Sequence, residues 1–304
     1  MILYKAPKKL SELEKFTAGN QIPLRWLGGT TQLDPSRNQL GVPHRDEKKY
    51  KANFLWISLS KIPELNSIQP HSQGLWFGSS NTCEDLINSE LLPKCANAIK
   101  LAIENYSTLQ IRNHTSIGTL LAAKDNYTDL YPPFMVLDTR IILLIKREYF
   151  SISFSEFLQK KETILRESGV ILGLFIPYEG QKSTFVKTQG PHPLSPSKLS
   201  LAIALSVDGD KFRNVRLAFS TTNSQAARAI GVEGLMEGQP IDYLPLIKRS
   251  ILQLRSLALP NTDHISNSRY RKWQLGNLFI AALKELLPPE VSKIYLPEQI
   301  MKKN

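Results

Sequence analysis

Cysteine is scarce in this chain: only Cys83 and Cys95 occur among its 304 residues. They do not form a Cys-x-x-Cys pair, and no histidine stands at metal-ligand spacing beside them. We therefore predict two reduced, buried thiols rather than a disulfide or a zinc site. An iron–sulfur cluster held by a single chain normally takes about four thiolates. Any cluster that works with this protein must therefore belong to another chain.

Long apolar runs and several catalytic motifs are missing as well. No run reaches the ~18 apolar residues that a membrane-spanning helix needs. The first residues, MILYKAPKKLSELEKF, become charged within five positions and do not resemble a signal peptide. We therefore expect a cytoplasmic protein that does not bind membranes. The sequence has no Gly-x-Ser-x-Gly, Walker A or His-Glu-x-x-His motif, so the corresponding hydrolase and NTPase classes have no support.

Acidic residues are outnumbered, with 27 Asp and Glu against 38 Lys and Arg and a net charge of +11. Such a balance occurs in nucleic-acid-binding proteins and in proteins that bind acidic partners. The basic residues are spread in small groups, without zinc-finger spacing, an RNA-recognition signature or a long basic arm. The sequence therefore favours an acidic partner subunit over nucleic acid.

Two glycine-containing turns are the most informative features that are present. LGGTT covers residues 27–31, and Ser116-Ile117-Gly118-Thr119 lies within QIRNHTSIGTLLA. Such flexible turns can direct backbone N–H groups toward one anion without a helix. We therefore predict that the pair binds the pyrophosphate of a dinucleotide cofactor. The alternative for Gly28-Gly29 is a plain hairpin turn.

Hydrophobic periodicity predicts the elements before residue 178. The predicted strands are 22–27, 54–60, 74–80, 134–137, 140–146 and 170–177. Helices are predicted after Ser11, after Thr82 with Asp85 as its capping partner, over 93–106 and over 153–159. We expect the strands at 54–60 and 74–80 to pair as a hairpin, and Pro132-Pro133 to interrupt regular structure.

A change in composition over 178–198 indicates a domain boundary near residue 178. Two strands follow, LSLAIALSV and FRNVRLAFS, joined by the turn Asp208-Gly209-Asp210. Three helices are then predicted over 224–238, 243–257 and 268–287. This order of strands followed by helices is typical of an α+β fold.

The order of short motifs along the chain is more specific than any one of them. These are Tyr4-x-x-Pro7, Leu27-Gly28-Gly29-Thr30-Thr31-Gln32-Leu33, Phe77-Gly78-Ser79-Ser80 before Thr82-x-x-Asp85-Leu86, Gln110-Ile111-Arg112-Asn113 before Ser116-Ile117-Gly118-Thr119-Leu120, Asp129-Leu130, Ile176-Pro177, Phe185-x-Lys187 and Ser268-x-Tyr270-Arg271. In this order the chain resembles the FAD-binding medium subunit of the xanthine dehydrogenase and aerobic carbon monoxide dehydrogenase family. The resemblance extends from residue 4 to about residue 287.

The resemblance implies a fold and a domain plan. It implies an α+β protein with a two-part FAD-binding domain of the PCMH (vanillyl-alcohol-oxidase-like) type over 1–177, divided into subdomains at about 1–55 and 56–177. A carbon monoxide dehydrogenase flavoprotein-like domain would follow over 178–290, with an antiparallel sheet and a three-helix bundle. Residues 291–304 would form a tail.

The resemblance also implies an oxidoreductase function. The chain would pass electrons from [2Fe–2S] clusters on a small subunit through FAD to NAD+ or a quinone. Molybdopterin would be held by a large subunit, and this chain would hold no metal and supply no catalytic residue. A flavin-free scaffold subunit and a stand-alone flavin oxidoreductase are the alternatives.

The resemblance further implies the residues that contact FAD. The two loops would hold the pyrophosphate, Asp129 would accept a hydrogen bond from an FAD hydroxyl, and three side chains would approach the flavin. The full set is Arg25, Trp26, Leu27, Gly28, Gly29, Thr30, Thr31, Gln32, Tyr106, Ser116, Ile117, Gly118, Thr119, Leu120, Asp129, Ile171 and Lys187. Thr119 and Leu120 replace a glycine and an asparagine of the family pattern, so we expect FAD binding to be weakened or lost.

Overall fold

The computed structural model describes residues 3–18, 24–29, 55–123, 130–188, 199–221, 226–257 and 268–295. The strands, in chain order, are β1 Leu3–Lys5, β2 Leu24–Leu27, β3 Leu55–Ser58, β4 Ile68–His71, β5 Gly74–Gly78, β6 Arg140–Ile145, β7 Glu148–Ser153, β8 Val170–Pro177, β9 Lys182–Lys187, β10 Leu199–Asp208, β11 Lys211–Thr221 and β12 Ala227–Arg228. The α-helices are α1 Leu10–Thr17, α2 Cys83–Asn88, α3 Asn97–Glu104, α4 Leu109–His114, α5 Ile117–Ala122, α6 Tyr131–Val136, α7 Phe154–Arg166, α8 Ile230–Met236, α9 Leu244–Leu257, α10 Ser268–Leu286 and α11 Pro289–Ser292.

The chain divides into two compact units. The first unit comprises Met1–Leu91, Thr108–Lys124 and Thr139–Pro177, and the second comprises Leu92–Ser107, Asp125–Asp138 and Tyr178–Asn304. The sequence placed one boundary near residue 178. In the structure, two earlier segments also pack with the residues that follow Tyr178.

A small parallel sheet opens the first unit, in the order β1-β3-β2. Parallel strands need a crossover connection, and α1 lies between β1 and β2 along the chain. Every residue of β3, the central strand, is buried. The predicted cap was wrong: α1 begins at Leu10 after Lys9, and no side chain caps it.

The second sheet of the first unit has five strands in the order β4-β5-β8-β6-β7, all antiparallel. The predicted hairpin between 54–60 and 74–80 was therefore wrong, because β3 pairs with β1 and β2 while β5 pairs with β4 and β8. The predicted buried strand over 170–177 is confirmed as β8. Ser153 caps α7, which extends to Arg166 and so exceeds the predicted 153–159.

The second unit contains an antiparallel sheet in the order β12-β11-β10-β9, with helices packed against it. The predicted hairpin of β10 and β11 is confirmed, with Gly209 at φ 61° in its turn. Helices α8, α9 and α10 follow the sheet, and their apolar faces join its buried side chains in one core. The predicted α+β organisation is therefore confirmed.

One segment of the second unit differs from its predicted structure. Residues 134–137 are helical rather than extended, because they lie in and just after α6. Pro132 and Pro133 lie in the first turn of α6 instead of interrupting it. The first turn tolerates proline, since its N–H groups have no partner within the helix. Over all the residues just described, no helix is both long enough and apolar enough to cross a bilayer.

Candidate cofactor site

The first glycine loop leaves the end of β2. Leu24 to Leu27 pair in parallel register with Leu55 to Ser58 of β3, and the amide of Leu59 donates to the carbonyl of Leu27 at 3.0 Å. Gly28 and Gly29 follow directly, where this pairing ends. The loop therefore starts from a strand that is held by its pairing with the buried strand β3.

The second loop is not the flexible turn that the sequence predicted, because a helix begins within it. Ser116 is the N-cap of α5, and its hydroxyl accepts the amide of Thr119 at 3.2 Å. The apolar residues of the run Ile-Gly-Thr-Leu-Leu-Ala pack inward, with Ile117 and Leu120 buried. A serine N-cap before apolar residues favours helix formation at this position.

The segment from Ser79 to Cys83 holds the second loop in place. The amide of Ile117 donates to the carbonyl of Asn81 at 3.0 Å, and the amide of Gly118 donates to that of Ser79 at 2.8 Å. The Asn81 side chain in turn donates to the Gly78 carbonyl at 3.0 Å. Thr82 and Asp85 form the predicted capping box of α2. This backbone pairing fixes where α5 begins.

An ion pair also supports the second loop. Arg112 of α4 donates from Nε to Glu84 Oε2 of α2 at 2.8 Å, and both side chains are mostly buried. The neighbouring Cys83 is a buried thiol whose pKa is raised to about 12 by burial. Arg112 of the Gln-Ile-Arg-Asn motif thus joins the helix before the loop to the helix that follows the Ser79–Cys83 segment.

The two glycine loops meet, as the sequence predicted. The amide of Gly29 donates to Thr119 Oγ1 at 2.9 Å and to Ser116 Oγ at 3.1 Å. The Ser116 hydroxyl donates to Thr119 Oγ1 at 2.9 Å. We call this arrangement the Ser116–Thr119 clasp: the two hydroxyls with the Gly29 amide between them. It joins residues 87 and 90 positions apart in sequence.

Glycine is required on both sides of this contact. A Cβ on Gly29 would lie 1.9 Å from the His114 carbonyl oxygen, and a Cβ on Gly28 would lie 2.3 Å from Thr119 Oγ1. A Cβ on Gly118 would lie 2.9 Å from Ser79. The glycines of the first loop thus allow its close approach to the second loop.

A cavity of about 60 Å³ lies beside the clasp. Its lining residues are Trp26, Gly28, Leu59, Ser79, Ser80, Ser116, Gly118, Thr119, Ala122, Leu165, Gly169, Val170 and Ile171. Two buried polar atoms of the lining, Ser79 Oγ and Trp26 Nε1, have no hydrogen-bond partner among the described residues. Small-molecule sites usually measure about 300 Å³ or more. In this arrangement the cavity accommodates a few waters, at about 10–15 Å³ each, rather than a flavin ring.

The structure brings together part of the predicted set. Trp26, Gly28, Ser116, Gly118, Thr119 and Ile171 line the cavity, and Gly29 binds the clasp. The other predicted residues of these loops, Arg25, Leu27, Ile117 and Leu120, do not line it. Ser79 was missed as a lining residue, because the strand predicted over 74–80 included it whereas β5 ends at Gly78.

Two predicted residues lie in the second unit. Lys187, at the end of β9, donates from Nζ to the carbonyl of Asn105 at 2.6 Å. Tyr106, the next residue, is half-buried and donates its amide to Ile103 at 2.9 Å. The structure therefore brings Lys187 near the segment that contains Tyr106. The predicted contacts Thr30, Thr31, Gln32 and Asp129 lie outside the described residues.

Residues 4–179 match the family model described as the FAD binding domain in molybdopterin dehydrogenase. The chain belongs to this family. The match covers more than half of the chain, and it includes both loops of the clasp. The predicted family resemblance is thus confirmed.

The curated relatives are dehydrogenase and oxidase chains. The glyceraldehyde dehydrogenase medium chain of Sulfolobus acidocaldarius is 22% identical over 288 residues, which cover 93% of this chain and 97% of that one. Aldehyde oxidase 2 of Cavia porcellus is 27% identical over 248 residues, covering 75% of this chain but only 18% of that protein. The homologues of the present chain are therefore subunits or parts of oxidoreductases.

Solved structures share the fold at low sequence identity. Carbon monoxide dehydrogenase from Hydrogenophaga pseudoflava aligns with a TM-score of 0.79 at 19% identity, covering 94% of this chain and 96% of that chain. Quinoline 2-oxidoreductase from Pseudomonas putida 86 aligns with a TM-score of 0.80 at 18% identity, covering 95% and 99%. These alignments confirm the predicted fold class.

The hydrogen-bond donors around the clasp are backbone amides and hydroxyls, which are groups that bind phosphate. The amides of Gly29 and Thr119 and the hydroxyls of Ser116 and Thr119 place four donor hydrogens close together. The unpartnered Ser79 hydroxyl and Trp26 indole N–H add donors nearby. Such a donor-rich group fits an anion. However, the Gly29 amide is already bound, so both hydroxyls must turn away before a phosphate oxygen can reach it.

Proposed function

We propose that this chain is the FAD-binding electron-transfer subunit of a molybdenum hydroxylase-type oxidoreductase. Membership of the FAD-binding family supports the proposal. The single observation that carries it is the meeting of the two glycine loops, where the Gly29 amide lies within 3.1 Å of both hydroxyls of the second loop. A pyrophosphate site built from two distant loops requires that they converge in this way.

In this proposal, backbone and hydroxyl groups hold the cofactor. The amides of Gly29 and Thr119 and the hydroxyl of Ser116 would donate to the pyrophosphate. FAD, when bound, supplies the electron-carrying chemistry. The resemblance adds the remaining proposed contacts: Arg25, Leu27, Thr30, Thr31 and Gln32 near the pyrophosphate, Asp129 at an FAD hydroxyl, and Tyr106, Ile171 and Lys187 at the flavin.

We further propose that the chain works within a complex of at least three kinds of subunit. It would receive electrons from [2Fe–2S] clusters of a small subunit and deliver them to an acceptor such as NAD+ or a quinone. A large subunit would hold the molybdenum cofactor. The net charge of +11 suits partner subunits with acidic faces. This activity is expected in the cytoplasm.

The test is the absorbance spectrum of the full-length chain purified with its bound partners. The proposal predicts a flavin spectrum together with iron–sulfur absorbance from the small subunit. The isolated chain should retain or take up FAD and should lack iron–sulfur absorbance. A colourless chain that takes up no added FAD, alone or within its complex, contradicts the proposal.

A flavin-free subunit is the second candidate, and one observation favours it. The donors that would hold a pyrophosphate are bound to one another in the Ser116–Thr119 clasp, beside a cavity of only about 60 Å³. In that case the chain would assemble with the large and small subunits without carrying electrons. A purified complex that contains all three subunits and iron–sulfur absorbance but no flavin would favour this candidate.

A further inference from the structure

We infer that Thr119 controls flavin occupancy of this site: its side chain, held by Ser116, closes the Gly28-Gly29 loop, so FAD binds only when the clasp opens. The inference rests on the proposed function in one respect, namely that the two loops form a dinucleotide site. It goes further by assigning the limiting step of binding to one residue.

The Ser116 and Thr119 hydroxyls close the space beside Gly28. A Cβ atom on Gly28 would lie 2.3 Å from Thr119 Oγ1 and 2.6 Å from Ser116 Oγ. Both distances are far below ordinary van der Waals contact, which begins at 3.4 Å. The two hydroxyls therefore fill the space beside Gly28 that a side chain would otherwise occupy. A phosphate oxygen cannot occupy that space while the hydroxyls remain there.

Hydrogen bonds also hold the clasp closed. The single amide hydrogen of Gly29 is shared between two hydroxyl oxygens, at 2.9 Å and 3.1 Å. The start of α5 cannot easily move away to free it, because the amides of Ile117 and Gly118 are bound to carbonyls of the Ser79–Cys83 segment. On the α5 side, opening the clasp therefore requires rotation of the Ser116 and Thr119 side chains.

Helix capping alone does not explain the arrangement. An N-cap requires only that the Ser116 hydroxyl accept the amide of Thr119, as it does at 3.2 Å. It does not require the Thr119 hydroxyl to accept the Gly29 amide from the other loop. The contact between Thr119 and Gly29 is therefore an additional feature, and a variant that removes it leaves the cap in place.

The test measures FAD binding by equilibrium dialysis for wild type, Thr119→Gly, Thr119→Ala and Thr119→Ser, using the full chain. Thr119→Gly should bind FAD at least about tenfold more tightly than wild type, equivalent to about 1.4 kcal/mol. Thr119→Ala should also bind more tightly, since it too removes the 2.9 Å bond to the Gly29 amide and leaves only the 3.1 Å bond to Ser116. Thr119→Ser is the matched control and should stay within about threefold of wild type, because it keeps the hydroxyl.

A second readout does not depend on FAD. Hydrogen exchange at the Gly29 amide should be slow in wild type and Thr119→Ser, and faster in Thr119→Gly and Thr119→Ala. Circular dichroism of each variant checks that the fold is retained. Thr119→Ala guards against loss of α5 in the glycine variant, because alanine is a strong helix former.

The outcomes separate the inference from the proposed function. If wild type binds FAD as tightly as Thr119→Gly and Thr119→Ala, the inference is overturned and the flavin function stands. If only these two variants bind FAD, the inference stands and the flavin-free candidate describes the wild-type chain. If neither variant binds FAD, Thr119 is not the limiting residue and the inference is overturned.

Discussion

Replacement of Gly29 by alanine should destabilise the first unit, because the new methyl group has no room. Its Cβ would stand 1.9 Å from the His114 carbonyl oxygen and 2.6 Å from the Ser116 amide nitrogen. Both are backbone atoms, so no side-chain rotation can relieve the overlap. Ordinary contact begins at 3.4 Å, so the two loops would have to separate by about 1.5 Å.

Two costs follow from that separation. Overpacking of a well-fitted contact typically costs about 1–3 kcal/mol. Moving the loop also breaks the bonds from the Gly29 amide to the clasp, and a net hydrogen bond contributes about 1 kcal/mol. We therefore expect Gly29→Ala to lower the free energy of unfolding by about 2–4 kcal/mol.

Urea unfolding followed by tryptophan fluorescence measures this change. Trp26, Trp56 and Trp76 lie in the first unit, so the signal reports mainly on that unit. Gly234→Ala is the control, because a Cβ at this helical position meets nothing within 4 Å, and its unfolding is followed by circular dichroism because Gly234 lies in the second unit. It should be neutral or stabilising by up to about 1 kcal/mol. A Gly29→Ala midpoint equal to that of wild type would refute the close approach of the two loops.

Three further variants or measurements test other parts of the structure. Ser183→Ala should cost about 1–3 kcal/mol by urea unfolding, since its buried hydroxyl donates to the Cys95 carbonyl and accepts the Ala98 amide. Ser200→Ala should be nearly neutral, because that buried hydroxyl has no hydrogen-bond partner within the described parts of the chain. Glu84→Gln should lower the unfolding midpoint through loss of the 2.8 Å pair with Arg112, and an unchanged midpoint would contradict a stabilising role. Cys83, with its pKa raised to about 12 by burial, should resist iodoacetamide at pH 8 in the folded chain and react in urea, as mass spectrometry would show. The Cys83 thiol stays protonated to a higher pH in the folded chain than in the unfolded chain. The contribution of this thiol to the free energy of unfolding is therefore full below pH 9 and is lost between pH 9 and about 12.

Local chemistry in the sequence predicted much of the fold. The Thr82 and Asp85 capping box forms because both partners lie within one helical turn. The apolar run 170–177 becomes the strand β8 inside its sheet. The turn at Gly209 joins β10 to β11 as a hairpin. The convergence of the two glycine loops was predicted from the two turns taken together, and the family order of motifs supported it.

The wrong predictions concern segments whose structure is determined by contacts between distant residues or by their place within a helix. The strand at β3 looked free to pair with β5, but β1 and β2 occupy both of its edges. Residues 134–137 have strand-like side chains, yet α6 packs against β10 and β11 and is helical there. Ser116 before an apolar run is a pattern typical of a helix N-cap and could have predicted α5. The hydrogen bond from Gly29 to Thr119 joins residues 90 positions apart, so no local sequence pattern indicates it.

Hydrogen exchange of the full chain with and without FAD tests the central claim most directly, which is that the two glycine loops form one dinucleotide site. We predict that saturating FAD slows exchange in peptides covering 24–29 and 115–120, while peptides from β10 and β11 remain unchanged. The same measurement on Thr119→Gly should show the protection at lower FAD concentrations. Protection that is absent from both loops, or that appears only in β10 and β11, would contradict the account.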